Sequence, residues 1–131
     1  MPTRPTAFVA MLWALQTKRS AMDNARDTRK LAAILVADVV GYSRIIAADE
    51  SGTVARLKAH LSEHVYPSVA QFSGRIFKTT GDGFLASFDS AVDAVECAAR
   101  IQRGMVTRTQ ADLPERKIIF RIGINVGDVL V

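Results

Sequence analysis

Lys78-Thr79-Thr80-Gly81-Asp82-Gly83 stands between two short apolar runs, and how it is read decides the fold. Arg75 to Lys78 and Phe84 to Phe88 read as strands, and the Asp82-Gly83 pair supplies the residues of a tight hairpin turn. Phe84, Ala86 and Phe88 alternate onto one face, which asks for a helix to cover it.

Upstream, Leu31 to Val39 is a continuous apolar run broken only by Asp38, the pattern of a strand buried on both faces. Gly41 and Ser43 open a turn into helix. From Asp49 or Ser51, each a possible N-cap, apolar residues recur at Val54, Leu57, Leu61, Val65 and Val69, marking one helical face. Pro67 is expected to kink or end that helix near its last turn, and Gly74 to stop it. Downstream, Ser90 caps a second helix in which Val92, Val95, Ala98 or Ala99, Ile101 or Gln102 and Met105 run down one side to about Thr107. Ala111 to Pro114 reads as a loop. Lys117 to Asn125 alternates as a last clear strand, Val126-Gly127-Asp128 is expected to turn the chain, and Val129 to Val131 to open a further strand. The order is strand, helix, strand, strand, helix, strand. This predicts an α+β, ferredoxin-like βαββαβ arrangement, one antiparallel sheet with helices on one face.

A chain of 131 residues, 49% apolar and 23% charged, has room for one globular domain. Its net charge of +4 resides in residues 1–30, where Arg4, Lys18, Arg19, Arg26, Arg29 and Lys30 face only Asp23 and Asp27. Residues 31–131 are balanced and carry no basic footprint for nucleic acid. The reading is a tail over 1–30, flexible or partly helical, followed by the domain over 31–131. In the tail, Ala7 to Leu15 is far shorter than the roughly 20 residues a membrane span needs, and no convincing small-residue cleavage site follows it. Met22 is an alternative start. Cys97 is the single cysteine, which excludes an intrachain disulfide and fits a reducing, cytoplasmic compartment and a core position. His60 and His64, four apart, lack a third ligand and read as solvated helix positions.

In this topology the end of the first strand neighbours the hairpin turn, so Asp38 and Asp82 converge. Two such carboxylates repel unless a cation joins them, and oxygen ligands favour Mg²⁺ or Mn²⁺. Between them Val39, Val40, Gly41, Tyr42 and Ser43 form a strand-to-helix turn whose backbone N–H groups could hold phosphate. A nucleoside triphosphate is then a sensible ligand. Each residue also has an ordinary reading: Asp82 as a turn former, Lys78 as an edge-strand lysine that discourages aggregation. Asp38 is harder to explain away, because a carboxylate closing an apolar run is costly unless paired or metal-bound.

Leu35-Val36-Ala37-Asp38-Val39-Val40-Gly41-Tyr42-Ser43, Phe77 to Ala86 and Arg121-Ile122-Gly123-Ile124-Asn125-Val126-Gly127 resemble, in order, three motifs of class III adenylate/guanylate cyclase catalytic domains of the bacterial type. The resemblance runs from about Arg29 to Val131 and implies conversion of ATP to 3′,5′-cyclic AMP and pyrophosphate. It implies two Mg²⁺ or Mn²⁺ ions on Asp38 and Asp82, with a backbone carbonyl from Val39. It implies that Lys78 hydrogen-bonds the purine and favours adenine. It also implies that the site forms between two subunits, in a homodimer or a heterodimer with another cyclase domain. Family domains continue into a segment bearing a second purine contact, a ribose-orienting Asn and a phosphate-stabilising Arg. None of these has a counterpart here, so the chain reads as truncated before the C-terminal part of the domain and impaired in turnover. The alternative is a non-catalytic cyclase-homology module that binds nucleotide or pairs with and regulates a complete cyclase. Another metal-dependent ferredoxin-like nucleotidyl enzyme, a diguanylate cyclase or a polymerase palm, would explain the aspartates but leave Lys78 and the third motif unexplained.

Overall fold

Strand β1 (Arg29–Val39) lies inside a four-stranded sheet because its side chains are apolar on both faces. The structure is a computed structural model and describes residues 29–130; of the expected tail over residues 1–30, residues 1–28 lie outside them, while Arg29 and Lys30 already belong to β1. β2 (Arg75–Thr79), β3 (Gly83–Phe88) and β4 (Phe120–Leu130) complete the sheet in the order β2-β3-β1-β4, with every pairing antiparallel. That is the ferredoxin-like arrangement expected from the element order.

The helices lie on one face. α1 (Tyr42–Ala48) follows β1, and α2 (Glu50–His60) starts at Asp49, whose Oδ1 accepts the Gly52 N–H at 3.1 Å. Pro67 does not end the helical run. It offers no N–H to the preceding turn and crowds the carbonyl four residues back, and the chain widens into a π-helical turn, Leu61–Val65, before α3 (Tyr66–Gln71). α4 (Ala91–Thr109) is capped by Ser90, whose Oγ accepts the Asp93 N–H at 3.3 Å. Between helices and sheet, Ala33, Leu35, Ala37, Val39, Phe84, Ala86 and Phe88 meet Leu57, Val65, Val69, Ala94, Cys97, Ile101 and Met105 in one core. Burying Phe84 and Phe88 contributes about 2 to 3 kcal/mol each. Burial also pushes the Cys97 thiol up to about 11, so it packs as a small hydrophobe.

Three expectations need correction. α4 turns Ala94, Cys97, Ile101, Met105 and Thr109 inward, while Val92 and Val95 are 64% and 56% exposed. The helix carries two apolar stripes, and the one with small residues at its start suits a sheet face already filled by phenylalanines. Val126-Gly127-Asp128 does not turn: β4 continues to Leu130, each residue registered against β1, because an eleven-residue β1 offers a template of that length. It also begins at Phe120, after a 3₁₀ turn at Pro114–Arg116, rather than at Lys117.

The histidines are the third correction. His60 is buried and accepts the Arg108 Nε–H at Nδ1 (2.9 Å), while His64 donates Nε2–H to the Ile101 carbonyl (3.1 Å). Burial, and then the Arg108 charge, hold the His60 imidazole below its ordinary value, against weaker opposing pulls from Asp112 and Glu63. In acid the unfolded chain therefore takes up a proton before the folded chain does. Stability is full above the unfolded value of about 6.5 and falls as pH drops below it, by at most about 1.4 kcal/mol per pH unit. Urea midpoints measured from pH 7.5 to 5.5 should decline, and His60→Gln should flatten that part of the decline.

Candidate active site

Asp38 is the next-to-last residue of β1, placed opposite Gly83 on β3 and Arg121 on β4. Because Asp82 precedes Gly83, and its carbonyl accepts the Val39 N–H at 2.9 Å, the two aspartates stand side by side at one end of the sheet. Asp38 is 4% exposed. Its carboxylate receives two parallel bonds from the Arg121 guanidinium, Nε to Oδ1 at 3.1 Å and Nη2 to Oδ2 at 2.9 Å. Asp82 is half-buried and its Oδ1 accepts from Thr80 Oγ1 at 3.2 Å. The hydrogen bonds and charge of Asp38, with a smaller pull from Asp82, raise the Arg121 pKa above its ordinary value. The three charges thus form one cluster.

Arg121 stands in the third motif, where the sequence alone assigns it no role. Its signal was present in the alternation of the last strand, which sets Arg121 on the face opposite Phe120 and Ile122. Recognising its partner required the β1–β4 register.

Lys78 is exposed on the edge strand β2, registered with Leu85 beyond a bulge at Phe77. That puts it two strands over from Asp38, about 10 Å away, so the fold of one chain does not bring it into the cluster. Of the turn residues expected to offer N–H groups, Val39 donates to Asp82 and Val40 donates to the Ile119 carbonyl at 2.8 Å. Those two are spent within the protein. Gly41 takes a left-handed conformation (φ 63°), which a side chain would strain, and its carbonyl accepts from Arg44 and Ile45 as α1 begins. Tyr42 and Ser43 open the first turn of α1, where N–H groups have no partner within the helix.

Among the described residues no group of three or more His, Cys, Asp or Glu side chains is placed to hold a metal. The pair Asp38 and Asp82 nevertheless suits Mg²⁺ or Mn²⁺, which are commonly held by one or two carboxylates together with phosphate oxygens and water. Any such cation must share Asp38 with Arg121.

No protein-family model matches the chain. Over 104 residues it is 52% identical to "Putative adenylate cyclase 3" of Rhizobium meliloti (strain 1021), covering 79% of this chain and 18% of that protein. The crystal structure of an adenylate/guanylate cyclase/hydrolase from Silicibacter pomeroyi superimposes with a TM-score of 0.71 at 46% identity. That match covers 77% of this chain and 59% of the other. A bacterial light-regulated adenylyl cyclase shares the fold, with a TM-score of 0.69 at 18% identity over 79% of this chain and 56% of its own. The chain thus spans about three fifths of the solved relatives and under one fifth of the curated one.

Proposed function

Because the chain belongs to the class III adenylate/guanylate cyclase catalytic-domain family, we propose that it supplies part of a nucleotide-cyclase site that converts ATP to 3′,5′-cyclic AMP and pyrophosphate. The observation that carries this reading is the cluster of Asp38, Asp82 and Arg121 at one sheet end. In the reaction the ribose 3′-oxygen loses its proton and bonds to the α-phosphorus, while the bond from that phosphorus to the pyrophosphate oxygen breaks.

Asp38 and Asp82, with the Val39 carbonyl, would hold two Mg²⁺ or Mn²⁺ ions. Bound there, the ions would supply Lewis acidity at the 3′-hydroxyl and charge neutralisation at the triphosphate. Arg121 lies beside the same carboxylates and is half exposed, so its guanidinium can turn donors toward phosphate oxygens when Asp38 is shared. Tyr42 and Ser43 add first-turn N–H groups after Gly41. Lys78, exposed on an edge strand away from the cluster, would contact the purine in a site whose carboxylates come from a second subunit, in a homodimer or with another cyclase domain.

A second reading, a non-catalytic module that binds nucleotide or pairs with a complete cyclase, is favoured by one observation. Arg121 already satisfies both oxygens of Asp38 without any ligand. The two readings separate when the purified chain is given ATP or GTP with Mn²⁺ and both nucleotide binding and cyclic product are measured. Cyclic AMP and pyrophosphate in equal amounts support the enzyme. Binding without product supports the module, and absence of both removes the nucleotide site.

A further inference from the structure

The turn after β1 carries a cation that the site described above does not use. Val39 and Val40 are tied through their N–H groups to the Asp82 and Ile119 carbonyls, at 2.9 and 2.8 Å, so the chain leaves the carboxylate end of the sheet along a fixed path. Gly41 follows three residues after Asp38, and covalent geometry keeps their Cα atoms within about 11 Å of each other. Arg44, in the first turn of α1, folds its side chain back over this glycine. A Cβ on Gly41 would stand 3.1 Å from Nη2, 3.6 Å from Cζ and 3.8 Å from Nε of Arg44, so the guanidinium lies against the turn. Glycine is therefore needed here twice, for its left-handed backbone and for the room it leaves Arg44.

Arg56, Arg108 and Arg121 each meet a carboxylate, on Asp49, Glu63 and Asp38. Arg44 makes no ion pair or side-chain hydrogen bond with any described residue, and the first turn of α1 holds no acidic residue. Its side chain is exposed, and its N–H donors form a planar fork that suits two phosphate oxygens. Other cations near the carboxylates are committed or distant. Arg121 holds both oxygens of Asp38 and has to release one before it donates elsewhere, and Lys78 stands on β2, two strands from β1. Charge builds on the departing pyrophosphate as its bond to the α-phosphorus breaks, and a fixed cation on that side stabilises it.

We propose that Arg44 binds the β- and γ-phosphates of the nucleotide and so holds the pyrophosphate leaving group. The assignment rests on the nucleotide-cyclase reading above. With the reacting α-phosphorus at the Asp38 and Asp82 end, the rest of the triphosphate runs along the turn toward Gly41.

Calorimetric titration of the 131-residue protein with ATP, pyrophosphate and AMP, each with Mn²⁺, tests this without requiring turnover. Arg44→Gln should weaken ATP and pyrophosphate roughly tenfold to a hundredfold, the scale of a hydrogen-bonded charge, and leave AMP unchanged. Arg44→Lys should recover part of the loss, keeping the charge but not the fork. Arg44 has no partner in the chain, so the melting temperature should stay at the wild-type value. Equal weakening of all three ligands overturns the proposal, because it makes Arg44 a prop for the turn. If Arg44→Gln binds ATP and pyrophosphate as the wild type does, the proposal falls and the cyclase reading stands. If the wild type binds none of the three, both fall together.

Discussion

Asp38→Asn is expected to lower any metal-dependent nucleotide turnover by at least about a hundredfold, the scale at which a single preorganised charge matters in such sites. The substitution keeps the shape and a carbonyl oxygen for Arg121 but removes the negative charge a divalent cation needs. Arg121, half exposed, can rehydrate, so the folded state should lose only about 1 kcal/mol. Arg121→Ala has the opposite profile. It strands a carboxylate that is 5% exposed, and breaking a buried pair from one side costs about 3 to 5 kcal/mol, lessened here by water entering the vacated space. A divalent cation can take the place of the lost guanidinium, so Mn²⁺ should raise the melting temperature of Arg121→Ala more than that of the wild type. It should have no such effect on Asp38→Asn. Thermal melts of the three proteins with and without Mn²⁺ check this, and equal Mn²⁺ shifts in all three would take the metal away from Asp38.

Much of this is legible in the sequence alone. The apolar run ending in Asp38 and the Asp82-Gly83 turn are local signals, and with the order of elements they placed two carboxylates at one sheet end. The partner of Asp38 was not legible in this way, because Arg121 is 83 residues away and meets it only through the β1–β4 register. Local pattern also misjudged the ends of elements. Gly127 looks like a turn residue, but a strand with a full-length neighbour continues through it, since ladder hydrogen bonds outweigh a glycine's local preference. His60 and His64 have a solvated spacing in isolation; what buries His60 and partly covers His64 is α4, whose Arg108 and Ile101 carbonyl are their partners. The inward stripe of α4 was off by one or two positions because both of its faces carry apolar residues, and periodicity does not rank one over the other.

Gly83→Ala is expected to be strongly damaging for a single-methyl change. A Cβ at that position would collide with the Ala37 carbonyl oxygen and come within 2.9 Å of its carbon and 3.0 Å of the Asp38 Cα. All of these are backbone atoms of the central strand, so no side chain can swing aside, and relief requires β1 and β3 to separate at the Asp38–Gly83 pair. A loss of about 4 kcal/mol or more follows, at the upper end of what point substitutions do. Gly123→Ala is the matched control: it lies across β1 on β4, its Cβ would find open space, and relief of unfolded-state entropy should leave stability unchanged or raised by up to about 1 kcal/mol. Urea denaturation of the two variants beside the wild type decides the point. If Gly83→Ala melts with the wild type, β3 does not approach β1 at Asp38 as the register requires. The side-by-side placement of Asp38 and Asp82, on which the two-carboxylate site depends, would fall with it.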